Sequence, residues 1–546
     1  MAFFPRLLQS DNHVALREQA EIQMSNTKTI AKYTGWFGIE NIVNLIVTLF
    51  GSIAIARTLG PSKNGYMVYV SYIVSVVSGL GGLGIPATTR KYMAEFIGMG
   101  DRGTGRYIYL RTIALQAGLA TLAAGGLVVW VLSPHPEYAA NAAYKAASLL
   151  LVLSVWPAMV NAISAQANIA AEDMAKNTPA SIISAVLFAI AIAATMVLKW
   201  GVIGVGAATL FQRSVDFLVR FFPTMKRMLA CEITHAHPEG LRKRMLAFAW
   251  QSVTSMLVSL IVWSRSEVIL LKRLSPDISQ VAFYSVAFTM GEQLLLGATI
   301  FGAATGATIF AQYGRDKSRL PDLTASTFRY LVLFSIPLHF IFAALSVSAL
   351  LLLYGRDYAG ATMVVMLAPI LCMPKAFMAP AQNLLQSAER QSYVIAATAL
   401  AGVVDIGVAW YLIPAYGAVG ACIGNGTAQT AAVCLMWAAS MHLYKVKLPW
   451  GLVAKVVSIS TLAALTAHFI AMNLAPVWGI LCGGSAALVV MVGLSYLLRV
   501  LEPEDHTRFN TLTQMLPKAV SGPVDKLLLL LIRPKSSAQV GAGRYS

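Results

Sequence analysis

Fourteen mainly apolar runs of about 20 residues or more follow one another along the chain, each long enough to cross a ~30 Å hydrocarbon core as a helix. They lie near 36–57, 66–86, 107–132, 144–170, 178–198, 200–222, 245–271, 281–306, 328–353, 360–387, 393–413, 416–439, 451–472 and 476–499. Lipid offers no partner to a backbone N–H or C=O, so runs of this kind fold as helices that satisfy those groups internally. Composition agrees: of 546 residues, 57% are hydrophobic and 12% charged, where soluble domains carry about a quarter charged. A soluble enzyme, a secreted disulfide scaffold and a disordered chain are excluded. The expected fold is all-α, a polytopic membrane protein.

The net charge of +17 would suggest nucleic acid in a soluble chain. Here it sorts by side of the membrane instead, and no nucleic-acid partner is expected. With the N-terminus inside, the inner segments hold 28 Lys and Arg and the outer segments seven. The positive-inside rule then places both termini in the cytoplasm. Polar and charged residues continue to about Lys32, which is not the pattern of a cleaved leader. Five cysteines show no CxxC pair or metal spacing, so neither a disulfide framework nor a metal site is expected.

Self-similarity sharpens the architecture. Arg57-Thr-Leu-Gly-Pro pairs with Arg273-Leu-Ser-Pro, Pro157 with Pro374, Ala171-Glu172 with Ala388-Glu389, and Trp200-Gly-Val-Ile-Gly with Tyr416-Gly-Ala-Val-Gly. All are 216 or 217 residues apart. One shared offset reads as a duplication of six helices in the same orientation, the pattern of parallel-repeat transporters. The expected parts are a cytoplasmic segment (1–35), an N-terminal lobe (36–222), an inter-lobe loop (223–244), a C-terminal lobe (245–443), two further helices (444–500) and a cytoplasmic tail (501–546). The tail ends in an apolar run, Leu527 to Ile532, too short to span and suited to the interface.

Two motifs carry a family resemblance. Ala56 to Tyr66 reads A-R-T-L-G-P-S-K-N-G-Y, and Gly79 to Glu95 reads G-L-G-G-L-G-I-P-A-T-T-R-K-Y-M-A-E. Together they resemble the O-antigen-type polysaccharide flippases of the multidrug/oligosaccharidyl-lipid/polysaccharide exporter (MOP) superfamily, and the repeat extends the resemblance over roughly residues 30 to 445. It implies export of an undecaprenyl-diphosphate-linked oligosaccharide from the cytoplasmic to the outer leaflet of a bacterial cell membrane. It also implies a pair of lobes around a charged, often cationic lumen, and work beside polysaccharide polymerases and other assembly proteins. No cofactor is implied; H⁺ or Na⁺ is the candidate coupling ion.

Ionisable residues within a span should face a partner or a wet cavity. Arg213, Asp216 and Arg220 share one helix face; they either neutralise one another or line the lumen, with Arg213 the better substrate candidate. Arg265 and Glu267, two residues apart, point different ways. Glu292 and Lys375 stand alone at similar depth and either pair or line the lumen, with Glu292 the first choice for a coupling carboxylate. Asp405 is another lone carboxylate. In the first lobe Glu40 and Arg111 lie near the cytoplasmic end and suit an interfacial pair, while Asn41 and Asn44 could bind sugar hydroxyls or another helix. The chemistry needs such groups: guanidinium for phosphate and polar side chains for sugars.

Three signals are discounted. Gly79-x-Gly81-x-x-Gly84 satisfies the dinucleotide fingerprint but closes a membrane helix, so its glycines serve packing or bending before Pro86. His235 and His237 near Cys231 lack a fourth metal ligand. Pro157 and Pro374 kink their helices. The expected function is transport, with a multidrug or cation antiporter of the same superfamily as the rival. An enzyme such as a glycan polymerase or ligase fits less well, because no outer loop is long enough to house the chemistry.

Overall fold

A computed structural model describes residues 5–232 and 238–501. The expected interfacial run at Leu527 to Ile532, and the His235–His237 pair, lie outside these residues. The described chain is all α-helix apart from short turns, with no strand. Its helices are α1 (Pro5–Gly81), α2 (Ile85–Gly98), α3 (Arg102–Leu132), α4 (Pro136–Ala140), α5 (Ala143–Leu153), α6 (Val155–Ala170), α7 (Met174–Val197), α8 (Gly201–Leu229), α9 (Leu241–Trp263) and α10 (Glu267–Leu274). There follow α11 (Ser279–Leu294), α12 (Leu296–Arg315), α13 (Leu320–Leu353), α14 (Thr362–Ala376), α15 (Met378–Ser387), α16 (Gln391–Tyr416), α17 (Ala418–Tyr444), α18 (Trp450–Met472) and α19 (Pro476–Leu497).

Ten helical stretches among the described residues are long and apolar enough to cross a membrane, or eleven if α11 and α12, bent by 43°, form one span. Fourteen were expected, and the difference has three sources. Ile42–Gly81 is one stretch of 40 residues, which at 1.5 Å per residue runs ~60 Å, twice the hydrocarbon thickness. Gly60 breaks it with φ 71° and ψ 171°, and Pro61 follows. Proline has no N–H to continue the ladder, and glycine alone takes such a φ without strain. The other two sources are α9 and α17. Both are helices of spanning length, 23 and 27 residues; Gly, Asn, Gln and Thr dilute the apolar run of α17.

The chain divides into two compact units, Met1–Leu59 with Val70–Leu257, and Gly60–Tyr69 with Val258–Ser546. In the first, α8 packs on α5, α6 and α7, and α3 packs on α2 and α6, around a core that includes Tyr109, Ile108, Met159 and Ile163. In the second, α17 packs on α14 and α16, and α13 on α14, around Phe328, Phe377 and Trp437. The added pair α18 and α19 packs on α13 through a seam of small residues, Ala463, Ala467 and Ala487 beside Ala344. Small side chains allow helices to approach closely where lipid supplies no hydrophobic drive.

The sequence repeat has a backbone counterpart. After α6, the N–H groups of Ala171, Glu172 and Asp173 bond to the carbonyls of Ala167, Ile169 and Asn168; after α15, those of Ala388, Glu389 and Arg390 bond to Leu384, Gln386 and Leu385. The two turns match bond for bond at an offset of 217 residues, and both place a glutamate in the left-handed region, Glu172 at φ 53° and Glu389 at φ 59°. This is the Schellman closure, usually made with glycine. The prolines act where expected: α5 stops at Ser154, shortly before Pro157, and α14 stops at Phe377, just after Pro374 and before Pro380.

Close packing of α16 on α17 makes one glycine critical. A Cβ at Gly420 would sit 2.6 Å from the backbone of Leu412, whereas one at Gly125 meets nothing within 4 Å. Gly420→Ala should therefore lower stability by about 1–3 kcal/mol, while Gly125→Ala leaves the thermal midpoint in detergent essentially unchanged. Equal midpoints for the two variants would contradict this packing.

Candidate functional site

A cavity of about 610 Å³ opens within the first unit, in the range of small-ligand sites. Helix α1 contributes Ser71, Ser75 and Ser78, whose spacing of four and three residues sets them on one face. Thr209 of α8 and Ser252 of α9 add further hydroxyls, and Gln116 of α3 and Gln166 of α6 add amides. Two cations complete the wall, Arg90 of α2 and Arg213 of α8. Neither makes a hydrogen bond or salt bridge among the described residues, and both are exposed. No aspartate, glutamate or aromatic ring is among the lining residues. The cavity is thus cationic and rich in groups that bind hydroxyls and phosphate.

The wall is irregular at one point. Between α1 and α2 the chain turns through Gly82, Leu83 and Gly84, with φ 45° at Leu83 and 69° at Gly84. A Cβ on Gly84 would collide with the Ala249 carbonyl, and one on Gly79 with Met256. The glycines of the discounted fingerprint therefore serve close packing against α9 and bending before Pro86.

A second polar group of the first unit is closed on itself. Arg220, 8% exposed, meets Asp216 at 3.0 Å and donates to Ser181 at 2.8 Å. Asn161 donates to Asp216 at 2.7 Å, and Glu40 accepts from Ser181 at 2.6 Å and Thr178 at 3.3 Å. Of the three charges sharing a face of α8, two neutralise each other and Arg213 reaches the cavity. Glu40 does not pair with Arg111. Arg111 is exposed, lies over the Tyr107 ring at 5.6 Å and is not part of the cavity wall. Asn44 is exposed and also outside the wall; the Asn41 side chain lies outside the described residues.

The second unit brings the remaining candidates together. Lys375 and Glu292 form a salt bridge at 2.7 Å, with 17% and 35% of their side chains exposed. Between α9 and α10 the helix is interrupted at Ser264–Ser266. Arg265 there donates to Ser285 at 2.8 Å, with its guanidinium 5.4 Å from the Phe288 ring centre. Glu267, fully buried, accepts from Tyr284 at 2.7 Å and from Asn425 at 2.8 Å. A second buried carboxyl, Asp405, 1% exposed, lies beside it on the packed helix α16 and accepts from Ser266 at 3.5 Å. Asn425 reaches back to the carbonyls of Val262 and Ser264 that the interruption frees. Two buried carboxyls side by side repel one another when both carry charge, so the pair is suited to share a proton or to hold a small cation. Among the described residues no group of three or more His, Cys, Asp or Glu forms a metal cluster.

Sequence reasoning missed Arg90, Gln116 and the α1 serines. By sequence Arg90 reads as an inner-loop cation, although it follows the glycine run by six residues. The serines carried a signal in their helical spacing inside an apolar run.

No family model matches the chain, and no curated protein does. Solved structures do. The chain is similar to the lipid II flippase MurJ in its inward closed conformation, with TM-score 0.65 and 13% identity over 85% of this chain and 98% of that one. It is similar to an inward-facing MATE multidrug transporter of the MOP superfamily (TM-score 0.58, 16% identity, 74% and 94% covered). A MOP transporter from Pyrococcus furiosus, whose binding pocket has reversed polarity, also matches (TM-score 0.56, 16% identity, 77% and 96% covered). At these identities the likeness shows the fold alone: an all-α architecture with many helices long and apolar enough to cross a membrane.

Breaking the half-buried Lys375–Glu292 pair from one side leaves an uncompensated charge. Lys375→Met should lower stability by about 1–3 kcal/mol, and adding Glu292→Gln should recover most of it. A double variant as unstable as the sum of the two singles would show that the groups do not interact.

Proposed function

We propose that the chain is a transporter, not an enzyme, that moves an anionic, lipid-linked oligosaccharide across the membrane by alternating access, with both termini in the cytoplasm. The observation that carries this reading is the wall of the first-unit cavity. It offers two guanidiniums without partners, a row of hydroxyls and two amides, and no carboxylate among its lining residues. Guanidinium suits a diphosphate, and hydroxyl and amide groups suit sugars; the lipid tail can stay in the bilayer. The likeness to a lipid II flippase supports the reading. An undecaprenyl diphosphate carrier and work beside a polysaccharide polymerase belong to the proposal through the motif resemblance.

The rival, export of organic cations, draws support from the MATE-like fold. It would need carboxylates or aromatic rings in the wall to hold a cation, and the lining residues include neither. Coupling we place on the Glu267–Asp405 dyad, with H⁺ or Na⁺ as the ion, since Glu292 is committed to Lys375. A buried pair of carboxyls gains or loses one positive charge with the ion, which is the differential interaction that biases two conformations.

Leaflet location of the lipid-linked oligosaccharide tests the transport reading. Depletion of the protein should trap it on the cytoplasmic face, and Arg213→Ala should fail to restore export. Oligosaccharide that still reaches the outer leaflet, with cells newly sensitive to cationic dyes, would favour the rival. For coupling, Glu267→Gln or Asp405→Asn should make transport into vesicles insensitive to imposed pH and Na⁺ gradients. A gradient response equal to wild type would remove the dyad from the mechanism.

A further inference from the structure

The second unit holds a much smaller cavity, of about 20 Å³, with room for one water or one bare monovalent cation. Tyr284 and Glu292 of α11, Cys372 of α14, and Cys422 and Asn425 of α17 are in its wall. Tyr284 and Glu292 are two turns apart, so the wall follows ~12 Å of helix. Glycine makes the space: a Cβ at Gly291, also in the wall, would lie 3.1 Å from the Cys372 sulfur. A buried water needs about two to four polar partners, and this wall offers a carboxylate, an amide, a phenol and two thiols.

These polar groups belong to the two charged sites of the unit. Glu292, 35% exposed, holds Lys375 at 2.7 Å. Tyr284 and Asn425 both donate to Glu267, which is fully buried, with Asp405 1% exposed. An ion reaches such carboxyls only by crossing protein, and the crossing costs least where polar groups replace its water. The cavity supplies that passage, because it joins an exposed carboxylate to the two side chains that hold Glu267. Lys375 has a second partner in reach: its ammonium lies 5.9 Å from the Trp263 ring centre, within cation–π range. It can therefore leave Glu292 without becoming a charge in isolation. Another cation near the wall, Arg265, is held by Ser285 and by the ring of Phe288.

We infer that this cavity is the entry route of the coupling ion to the Glu267–Asp405 pair. Glu292 is its receiving carboxylate, and Lys375 is a tethered cation that moves to the Trp263 ring before another cation takes its place. The inference rests on the coupling reading and deepens it. It gives the Glu292–Lys375 pair a role beyond mutual neutralisation, since a cation at the mouth repels any other until it is released. The route serves either ion: H⁺ passes along water and Tyr284, and Na⁺ passes from one set of oxygen ligands to the next.

The test uses the full chain in lipid nanodiscs, with Cys231, Cys372, Cys434 and Cys482 changed to serine and Ag⁺ as the probe. Silver bonds the Cys422 sulfur and releases the thiol proton, which closes that sulfur to alkylation by N-ethylmaleimide after denaturation. Ag⁺ should block Cys422. Lys375→Met leaves a free carboxylate at the mouth and should speed the reaction about tenfold. Gly291→Ala puts a methyl group into the space and should slow it about tenfold or more with little change in thermal midpoint. Saturating Na⁺ should slow it where Na⁺ is the ion, and acid in Na⁺-free buffer where H⁺ is. Cys422 that stays free of silver, or reacts at the parent rate in both variants, would overturn the route, and the coupling reading would stand as long as Glu267→Gln removes the gradient response. Silver entry that neither Na⁺ nor acid slows would also overturn the route, because the coupling ion would not share it. A gradient response that survives Glu267→Gln would overturn the coupling reading and the route together.

Discussion

An ionised side chain in hydrocarbon is stable only beside a partner or against water, and the placement of charge in this protein follows from that constraint. Asp216 and Arg220 meet on α8, Glu292 and Lys375 meet between α11 and α14, and Glu267 and Asp405 are buried together where α10 packs on α16. Each arrangement removes or neutralises charge inside one unit. Against that background Arg90 and Arg213 stand out because, among the described residues, they make no hydrogen bond or salt bridge and line one cavity. Such side chains are what the proposed anionic substrate would need.

The same solvent constrains the backbone. A helix interrupted at membrane depth frees N–H and C=O groups that lipid cannot satisfy, so interruptions are tolerated where they are buried in protein or line a wet cavity. The interruption at Ser264–Ser266 is of the first kind: Asn425 answers the freed carbonyls of Val262 and Ser264 and also binds Glu267. The turn at Gly82–Gly84 is of the second kind, since it lines the cavity. Thus the irregular points of the fold coincide with the two places where chemistry is expected, a carboxyl dyad in one unit and a cationic cavity in the other.

Much of this was legible in the sequence because hydrophobic length and periodicity are local. The apolar runs and the exceptional position of Arg213 follow from residues within a few turns of one another, and the duplication that matches Glu172 with Glu389 follows from several matches at one shared offset. The Gly60 break was legible too, as a glycine before Pro61, although the helix around it forms one 40-residue stretch. Long-range meetings were not legible. Glu267 and Asp405 lie far apart in sequence and come together through the packing of α10 on α16, which no pattern on either helix encodes. Glu40 and Arg111 suited a pair by depth, yet packing of α7 gave Glu40 the hydroxyls of Thr178 and Ser181. Arg90 was misjudged for a related reason: a cation just past an apolar run reads as a loop residue unless the turn before it is known to face a cavity.

We propose that the first-unit cavity holds an anionic, lipid-linked saccharide through Arg213 and its neighbours. Native mass spectrometry of the protein extracted gently from its membrane addresses this most directly, because it weighs what the cavity retains. A bound polyprenyl-diphosphate saccharide is expected on the wild-type chain and should be lost from Arg213→Ala, with ordinary phospholipids retained equally by both. A wild-type chain that carries only phospholipids or an organic cation, or a saccharide retained equally by Arg213→Ala, would contradict it.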